Sequence, residues 1–292
     1  MSALAAVNAL PRMTPISLSE LDAIAPLQAR RDRKYLVPMA DLEVEQLAFS
    51  ARVLTIGDLQ VFRYESVYFD TPERASYLGA ARRRRHRFKI RTRSYLDSGR
   101  CLLEFKTRDG RGRTIKSRLD YPLAHRGELN ATGRRFLSEQ PVRHIALRPV
   151  LTTRYARSTL VLADAARVTI DIGLQAVANG RTVELVGMAV VETKSVGPPT
   201  AADRVLWAIG HRPIRVSKFC TTLAILEPDL PANKWTLALR APWHVGGAPR
   251  VGVAHPESDG TPWLAPRPEM STTRGQGEDR PTASAFPAMG YE

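Results

Sequence analysis

Charged side chains recur two residues apart in several short segments of this chain. Because side chains alternate between the two faces of a β-strand, each charged set would point one way, while apolar neighbours such as Ile90, Phe105 and Val191 point the other. A sheet curved around the charged faces would form a cationic channel, which suits the chemistry of polyanions. The segments are Asp32/Lys34, Lys89/Arg91/Arg93, Glu104/Lys106, Lys116/Arg118, Arg167/Thr169/Asp171 and Glu192/Lys194.

Arginine and lysine on this face are the side chains that bind phosphoryl oxygens. Arg91 and Arg93 are the first candidates, because a guanidinium group stays charged and donates two parallel hydrogen bonds to phosphate. When the channel is empty, two like charges about 4 Å apart repel by about 4 kcal/mol at an effective dielectric of about 20. A bound polyanion would remove that repulsion. The expected phosphate-binding residues are Lys34, Lys89, Arg91, Arg93, Lys106, Lys116, Arg118, Arg157 and Lys218.

A charged strand face that merely meets water is the ordinary alternative for any one of these segments. A solvated face usually mixes Ser, Thr and Gln with charges of both signs. Here Lys and Arg predominate in strand after strand. The joint pattern therefore favours the channel.

The spacing of apolar residues predicts mostly strands, with few helices. Helical spacing appears at about 39–50 and again at 202–209, before Gly210. Asp109-Gly110 predicts a hairpin turn that brings Lys106 near Lys116. Strands are expected near 61–69, 87–95, 101–107, 113–122, 150–162, 167–172 and 183–194.

The same positions carry a family resemblance that runs from about residue 28 to about residue 227. Their order resembles the VTC domain, the polyphosphate polymerase domain of the vacuolar transporter chaperone complex, within the CYTH or triphosphate tunnel superfamily. The resemblance implies an α+β fold, an antiparallel β-barrel with a few flanking helices. The matching segments are Asp32-Arg-Lys34-Tyr35, Ser66-Val-Tyr68-Phe-Asp70-Thr71, Lys89-Ile-Arg91-Thr-Arg93, Glu104-Phe-Lys106, Lys116-Ser-Arg118, Tyr155-Ala-Arg157, Thr169-Ile-Asp171, Glu192-Thr-Lys194 and Ser217-Lys218.

The resemblance also implies a reaction, the transfer of phosphoryl groups between ATP and polyphosphate with Mn²⁺ or Mg²⁺. Carboxylate oxygens suit these hard cations, and the resemblance assigns the metal to Glu192. Asp171 is the expected second ligand, and Asp32 and Glu104 would also lie nearby in the barrel. Simple pairing of the carboxylates with neighbouring lysines is the alternative. The catalytic residues implied are Lys34, Arg91, Arg93, Lys106 and Glu192.

Two positions depart from the family pattern. Asp32 stands where relatives usually have Glu, which shortens the reach of that carboxylate by one methylene. Thr169 stands where some eukaryotic relatives have a basic residue, which removes one phosphate contact.

Three other functions remain open at this stage. One is a sensor that binds polyphosphate or an inositol phosphate regulator without turnover, and another is a triphosphatase. The third is a nucleic-acid binder, which is disfavoured because the charged strands lack the interleaved aromatics that stack on bases. We therefore expect no specific nucleic-acid partner.

Composition agrees with an anion-binding protein. The chain has 43 Lys and Arg against 29 Asp and Glu, a formal net charge of +14. Cys101 and Cys220 have no partner at metal-ligand spacing, and no apolar run is long enough for a membrane span, so we expect a cytoplasmic protein. Residues 82–87 form a dense basic cluster, Arg-Arg-Arg-Arg-His-Arg. We expect it to be either a solvated loop or a basic patch at the channel mouth that guides polyanions inward.

The C-terminal segment has a different composition. Ten of the 21 prolines fall in residues 228–292, and we expect 240–292 to be disordered. Trp235, Trp243 and Trp263 are the exception, because they could dock on the domain or on a protein partner. The expected division is an N-terminal segment (1–27), a tunnel domain (28–227) and a tail (228–292).

Overall fold

The computed structural model describes residues 13–25, 31–42, 51–108, 114–141 and 146–247. Over these residues the protein is an antiparallel sheet with short flanking helices. Its strands are β1 (Thr14–Ile16), β2 (Arg31–Pro38), β3 (Arg52–Leu54), β4 (Phe62–Asp70), β5 (Arg87–Tyr95), β6 (Arg100–Arg108), β7 (Thr114–Asp120), β8 (Arg148–Val161), β9 (Arg167–Ala178), β10 (Arg181–Leu185), β11 (Met188–Ser195) and β12 (Trp243–Gly246). The α-helices are α1 (Leu18–Ile24), α2 (Ala75–Ala81), α3 (Ala131–Ser138), α4 (Ala201–Ala208), α5 (Lys218–Leu226) and α6 (Thr236–Leu239).

The main sheet runs in the order β2-β11-β9-β8-β4-β5-β6-β7, and each neighbouring pair is antiparallel. β10 pairs with the second half of β9 and with β12, and β3 pairs with β8 and β1. The expected β-barrel is not closed, since no pairing joins β2 to β7 within the described ranges. Pairing of β2 with β7 would place the cations of β2, such as Lys34, beside Lys116 and Arg118 of β7. Like charges on neighbouring strands repel one another.

The predicted hairpin between the strands expected near 101–107 and 113–122 is confirmed. β6 and β7 are antiparallel neighbours, with Lys106 opposite Lys116 and Glu104 opposite Arg118. The turn itself, including Asp109-Gly110, lies outside the described residues.

The predicted helix at 202–209 is also confirmed, as α4. Thr200 and Asp203 form a capping box at its start, which satisfies backbone N–H groups that have no partner in the helix. The helix ends before Gly210, whose φ of +91° favours glycine. The helix expected at about 39–50 falls largely on residues outside the described part of the chain.

The apolar faces of the strands form the core, in three clusters. The largest cluster includes α5, whose Phe219 and Leu223 are buried against residues of β4 and β8. Packing of α5 on the sheet carries Lys218, its first residue, to the charged face. Cys101 and Cys220 are buried free thiols. No helix of the described segments has the length and hydropathy needed to cross a membrane.

Residues 228–247 are structured, so the expected tail is wrong for this stretch. Trp235 is only 3% exposed and packs against Tyr77 with ring centroids 5.4 Å apart. Trp243 begins β12, which pairs with β10, and its indole N–H donates to the Ala238 carbonyl at 2.8 Å. Burial of these large aromatic surfaces outweighs the proline content. The remaining expected tail, including Trp263, lies outside the described residues.

Candidate functional site

The predicted charged residues share one concave face of the main sheet, here called the channel face. The register places Lys34 opposite Glu192, and Lys89 opposite Lys106. The start of α5 links the two sides of this face, since the Phe219 ring lies 5.9 Å from Lys89 Nζ on β5 and Lys218 contacts Asp171 on β9. The channel face carries Lys34, Lys89, Arg91, Arg93, Glu104, Lys106, Lys116, Arg118, Arg157, Asp171, Glu192 and Lys194, and α5 adds Lys218.

Glu104 organises the wing formed by β5, β6 and β7. It is 3% exposed, and its carboxylate lies 2.6 Å from Arg91 and 3.4 Å from both Lys116 and Arg118. Burial opposes its ionisation, but Arg91, Arg93 and Lys116 hold the pKa of Glu104 well below its usual range. Glu104 therefore serves as a fixed anion that holds several cations in place.

Asp171 does the same on β9. Arg157 donates to it twice, from Nε at 2.5 Å and from Nη2 at 2.8 Å, and Lys218 also contacts it. Burial would raise its pKa, but Arg157 and Lys218 lower the pKa of Asp171 to about 2. Both carboxylate oxygens are thus occupied by cations.

Glu192 lies between two lysines on the opposite wing, which is formed by β2, β11 and β9. Its oxygens are 3.6 Å from Lys34 Nζ and 3.4 Å from Lys194 Nζ, and its side chain is 13% exposed. Against the effect of burial, Lys194 and Lys34 hold the pKa of Glu192 well below its usual range. These contacts are longer than those of Asp171, so Glu192 is held less tightly.

Arg93 and Lys89 are cations on the channel face with no carboxylate ion pair among the described residues. The Nε of Arg93 is buried without a hydrogen-bond partner there, and its guanidinium lies 5.9 Å from the Tyr64 ring. Lys89 Nζ lies 5.1 Å from the Tyr68 ring, and burial lowers the pKa of Lys89 to about 8. Both have binding capacity left for an anion.

Three buried hydroxyl groups on the same face also lack hydrogen-bond partners in the described structure. They belong to Ser66, Thr153 and Thr169. Ser66 stands opposite both Arg93 and Thr153 in the sheet. Buried polar groups are normally paired, so a cluster of unpaired ones next to Arg93 suits a polar ligand. The sequence analysis missed Ser66 and Thr153 as binding candidates, although Ser66 lies in a segment of the family pattern.

Tyr68 and Tyr155 form the wall of the channel. The Tyr68 ring stacks on Phe219 with centroids 4.9 Å apart, and its hydroxyl lies 3.5 Å from Arg91 Nη1. Burial opposes ionisation of the phenol, but Lys89, Arg91 and Arg93 lower the pKa of Tyr68 to about 7. Sequence reasoning gave no sign of this, because the effect arises from three separate charges that converge in space.

The predicted metal ligands differ in how well they fit a cation. The described residues contain no group of three or more His, Cys, Asp and Glu side chains that could hold a metal ion. Glu192 fits as a single oxygen ligand, for a divalent ion that completes its coordination with phosphate and water. Asp171 does not fit, because a metal would have to displace Arg157 and Lys218. Asp32 is exposed and stands opposite Lys194.

The basic cluster at 82–87 forms the turn between α2 and β5. Its residues from Arg82 to His86 are exposed. Arg87 begins β5, two residues before Lys89. The cluster therefore adjoins one end of the channel face.

Comparison with known structures gives several distant likenesses. A candidate adenylyl cyclase from Hippeastrum with a dominant triphosphatase activity is 15% identical, with 68% of this chain and 96% of that chain covered, at a TM-score of 0.42. A candidate adenylate cyclase from Bacillus halodurans is 12% identical (65% and 94% covered, TM-score 0.44). A Pyrococcus horikoshii protein is also 12% identical (68% and 99% covered, TM-score 0.39). Scores this low add nothing to the argument on function.

Comparison with families is decisive. No curated protein matches the chain. Residues 29–227, more than half of the chain, match the family model of the VTC domain. This range spans the channel face, from β2 to α5. The chain belongs to the VTC domain family.

Proposed function

We propose that this domain binds ATP and polyphosphate on the channel face and transfers phosphoryl groups between them with a divalent metal. The observation that carries the proposal is the half-buried Arg93: its Nε is buried with no hydrogen-bond partner among the described residues, and Arg93 stands opposite Ser66, whose hydroxyl is also unpaired there. A buried N–H group without a hydrogen-bond acceptor is costly in a folded protein unless a ligand supplies the acceptor. Membership of the VTC domain family supports a chain of phosphates as that ligand.

The channel residues act by positioning and by charge. Phosphoryl transfer requires little covalent participation by protein side chains. It depends on alignment of the two substrates and on stabilisation of the charge on the transferred group. Arg91 and Arg93 would donate hydrogen bonds to phosphoryl oxygens from one wing of the sheet, and Lys34 would contact the same phosphates from the other wing. A metal held by Glu192 would neutralise phosphate charge when bound. Asp171 and Glu104 are positioning residues, since they hold Arg157, Lys218 and Arg91 in place.

A triphosphatase is the second candidate, favoured by Tyr68. Hydrolysis needs a group that takes a proton from water, and a phenol with a pKa of about 7 is able to do so near neutral pH. Its hydroxyl lies beside Arg91, which is proposed to hold phosphate. Transfer to polyphosphate does not need this step.

One experiment separates these functions. The purified full chain is incubated with ATP and either Mn²⁺ or Mg²⁺, and polyphosphate, ADP and free phosphate are measured in parallel. ADP that appears together with polyphosphate supports the polymerase. ADP matched by free phosphate supports the triphosphatase, and binding of tripolyphosphate without turnover would replace both by a sensor. Arg93→Met, which retains much of the side-chain volume, serves as the binding-deficient control.

A further inference from the structure

We infer that a basic surface outside the channel binds the part of a long polyphosphate chain that extends beyond the channel. This surface, here called the outer patch, consists of Arg83, Arg87, Arg108, Arg215 and Lys234. The inference rests on the proposed function, since it requires that the channel holds the rest of the same chain.

Two members of the outer patch, Lys234 and Arg87, are positioned by backbone carbonyls. Lys234 Nζ donates to the Ala80 carbonyl at 2.6 Å, and Arg87 Nη1 donates to the Arg84 carbonyl at 2.9 Å. Within the described residues, no ion pair is formed by Arg83, Arg87, Arg215 or Lys234. The carbonyls fix the positions of Lys234 and Arg87 but do not neutralise their positive charge.

The members of the outer patch lie close together: Lys234 Nζ and the Arg83 backbone N–H both donate to the Ala80 carbonyl, and Arg87 stands opposite Arg108. Burial lowers the pKa of Lys234, and the charges of Arg87, Arg83 and Arg215 lower it further. Burial and the charge of Arg108 lower the pKa of Arg87. An anion laid across the patch would relieve this repulsion, as it would in the channel.

The outer patch continues the channel face without a break. Arg87 stands opposite Arg108, and the next positions on the same face are Lys89 opposite Lys106. Two strand residues span about 7 Å, so one row of cations leads from the channel to the surface. Gly79 allows α2 to lie against β5 there, because a Cβ on it would meet the Arg87 Cβ at 3.3 Å.

Arg83 has an unusual backbone for its residue type. Its φ is +53°, in the left-handed region where a helix end normally has glycine. The residue is exposed, so packing gives no reason for an arginine at this position. Its contribution is charge beside Lys234.

A linear phosphate chain fits the outer patch better than a nucleic acid does. Single-stranded nucleic acids bind through charge and through aromatic rings on which their bases stack. Trp235, the aromatic residue below Lys234, is 3% exposed and buried against Tyr77. The patch therefore offers charge without a stacking surface.

The test compares a short and a long ligand on the full chain. Affinities for tripolyphosphate and for long-chain polyphosphate are measured by titration calorimetry at several salt concentrations. The patch variant carries Arg83→Gly and Arg215→Ser, at two exposed positions. The control carries Arg134→Ser and Arg135→Ser, which remove the same charge from the exposed side of α3. Thermal unfolding verifies that both variants fold.

We expect the patch variant to lose about fivefold in affinity for long-chain polyphosphate. The slope of log affinity against log salt should also flatten by about 1.4, as for two lost phosphate contacts on a single strand. Tripolyphosphate binding should not change, and the control should match wild type with both ligands.

Other results would overturn the inference in distinguishable ways. If the patch variant and the control bind long-chain polyphosphate with equal affinity, the outer patch is not a binding surface for that ligand. The proposal for the channel would then still stand. An equal loss for a single-stranded oligonucleotide would make the patch a general polyanion surface. If wild type does not bind tripolyphosphate, the proposed function itself fails, and the inference fails with it.

Discussion

Lys34 Nζ lies 3.6 Å from Glu192 Oε1, across the antiparallel pair of β2 and β11. Glu192 raises the pKa of Lys34 against the effect of its burial. The same carboxylate also contacts Lys194 at 3.4 Å. One carboxylate therefore offsets part of the charge of two cations on the channel face.

This relationship predicts that Glu192→Gln separates binding from turnover. The amide removes a proposed metal ligand and also removes one negative charge that Lys34 and Lys194 share. Metal-dependent release of ADP should fall by about 100-fold, by analogy with loss of a single charge-stabilising group. Affinity for tripolyphosphate, measured without metal by calorimetry, should stay the same or rise. Glu184→Gln on β10, outside the channel face, is the control, and a parallel fall of binding and turnover in Glu192→Gln would contradict the assignment.

Arg91 and Arg93 provide a matched pair for separating stability from binding. Arg91 pairs with the buried Glu104 at 2.6 Å, whereas Arg93 has no ion pair in the described structure. Arg91→Met should lower the free energy of unfolding by about 1–3 kcal/mol, because Glu104 loses a charged hydrogen bond. Arg93→Met should lower it by less, because Arg93 acts on Glu104 through its charge and makes no ion pair with it in the described structure. Both should reduce the thermal stabilisation by tripolyphosphate, and full stabilisation in Arg93→Met would remove Arg93 from the site.

The pKa values on the channel face predict how stability depends on pH. Burial lowers the pKa of Lys89 to about 8 and that of Lys116 to about 7. Nearby cations lower the pKa of Tyr68 to about 7 against the effect of its burial. All three groups titrate near pH 10 in an unfolded chain. From about pH 7 to about pH 8.5, the unfolded chain therefore binds more protons than the folded one, so stability of the free protein should rise with pH.

The stabilisation by bound tripolyphosphate should depend on pH in the opposite sense and decrease as pH rises. The ligand favours the protonated lysines, so its binding should take up protons and should weaken as pH rises through about 8. The ligand-induced shift in unfolding temperature, measured from about pH 6.5 to about pH 8.5, should decrease. Lys89→Met is the control that should show a flatter dependence. A shift that grows with pH would mean that the lysines do not face the ligand.

Trp235 provides a test of the structured segment after α5. Trp235→Ala should lower the free energy of unfolding by about 3–5 kcal/mol, since the indole is buried against Tyr77. Leu237, two residues further, is 60% exposed, and Leu237→Ala should change stability by less than about 0.5 kcal/mol. Chemical denaturation of both variants measures the difference. Equal stability of the two would show that the segment does not join the core.

Local sequence patterns were sufficient to predict most strands of the main sheet and the face they share, although the run expected at 183–194 is divided into β10 and β11, and β1, β3 and β12 were not predicted. Strand side chains alternate with a period of two, so Lys89, Arg91 and Arg93 had to lie on one face wherever the strand went. The hairpin of β6 and β7 followed from a short turn signal between two such strands. The ordered series of motifs then pointed to the VTC domain family, which the match over residues 29–227 confirms.

Tertiary structure alone decided which charges are paired and which remain free. Asp171 and Glu192 look alike in the sequence, but Asp171 accepts from Arg157 on β8 and Lys218 on α5, and so is poorly available to a metal. Tyr68 acquires its low pKa from charges brought together by folding. The open edge between β2 and β7 and the burial of Trp235 likewise depend on contacts between distant segments. A sequence pattern specifies which way a side chain points, whereas its ionisation and binding capacity depend on neighbours that only the folded chain supplies.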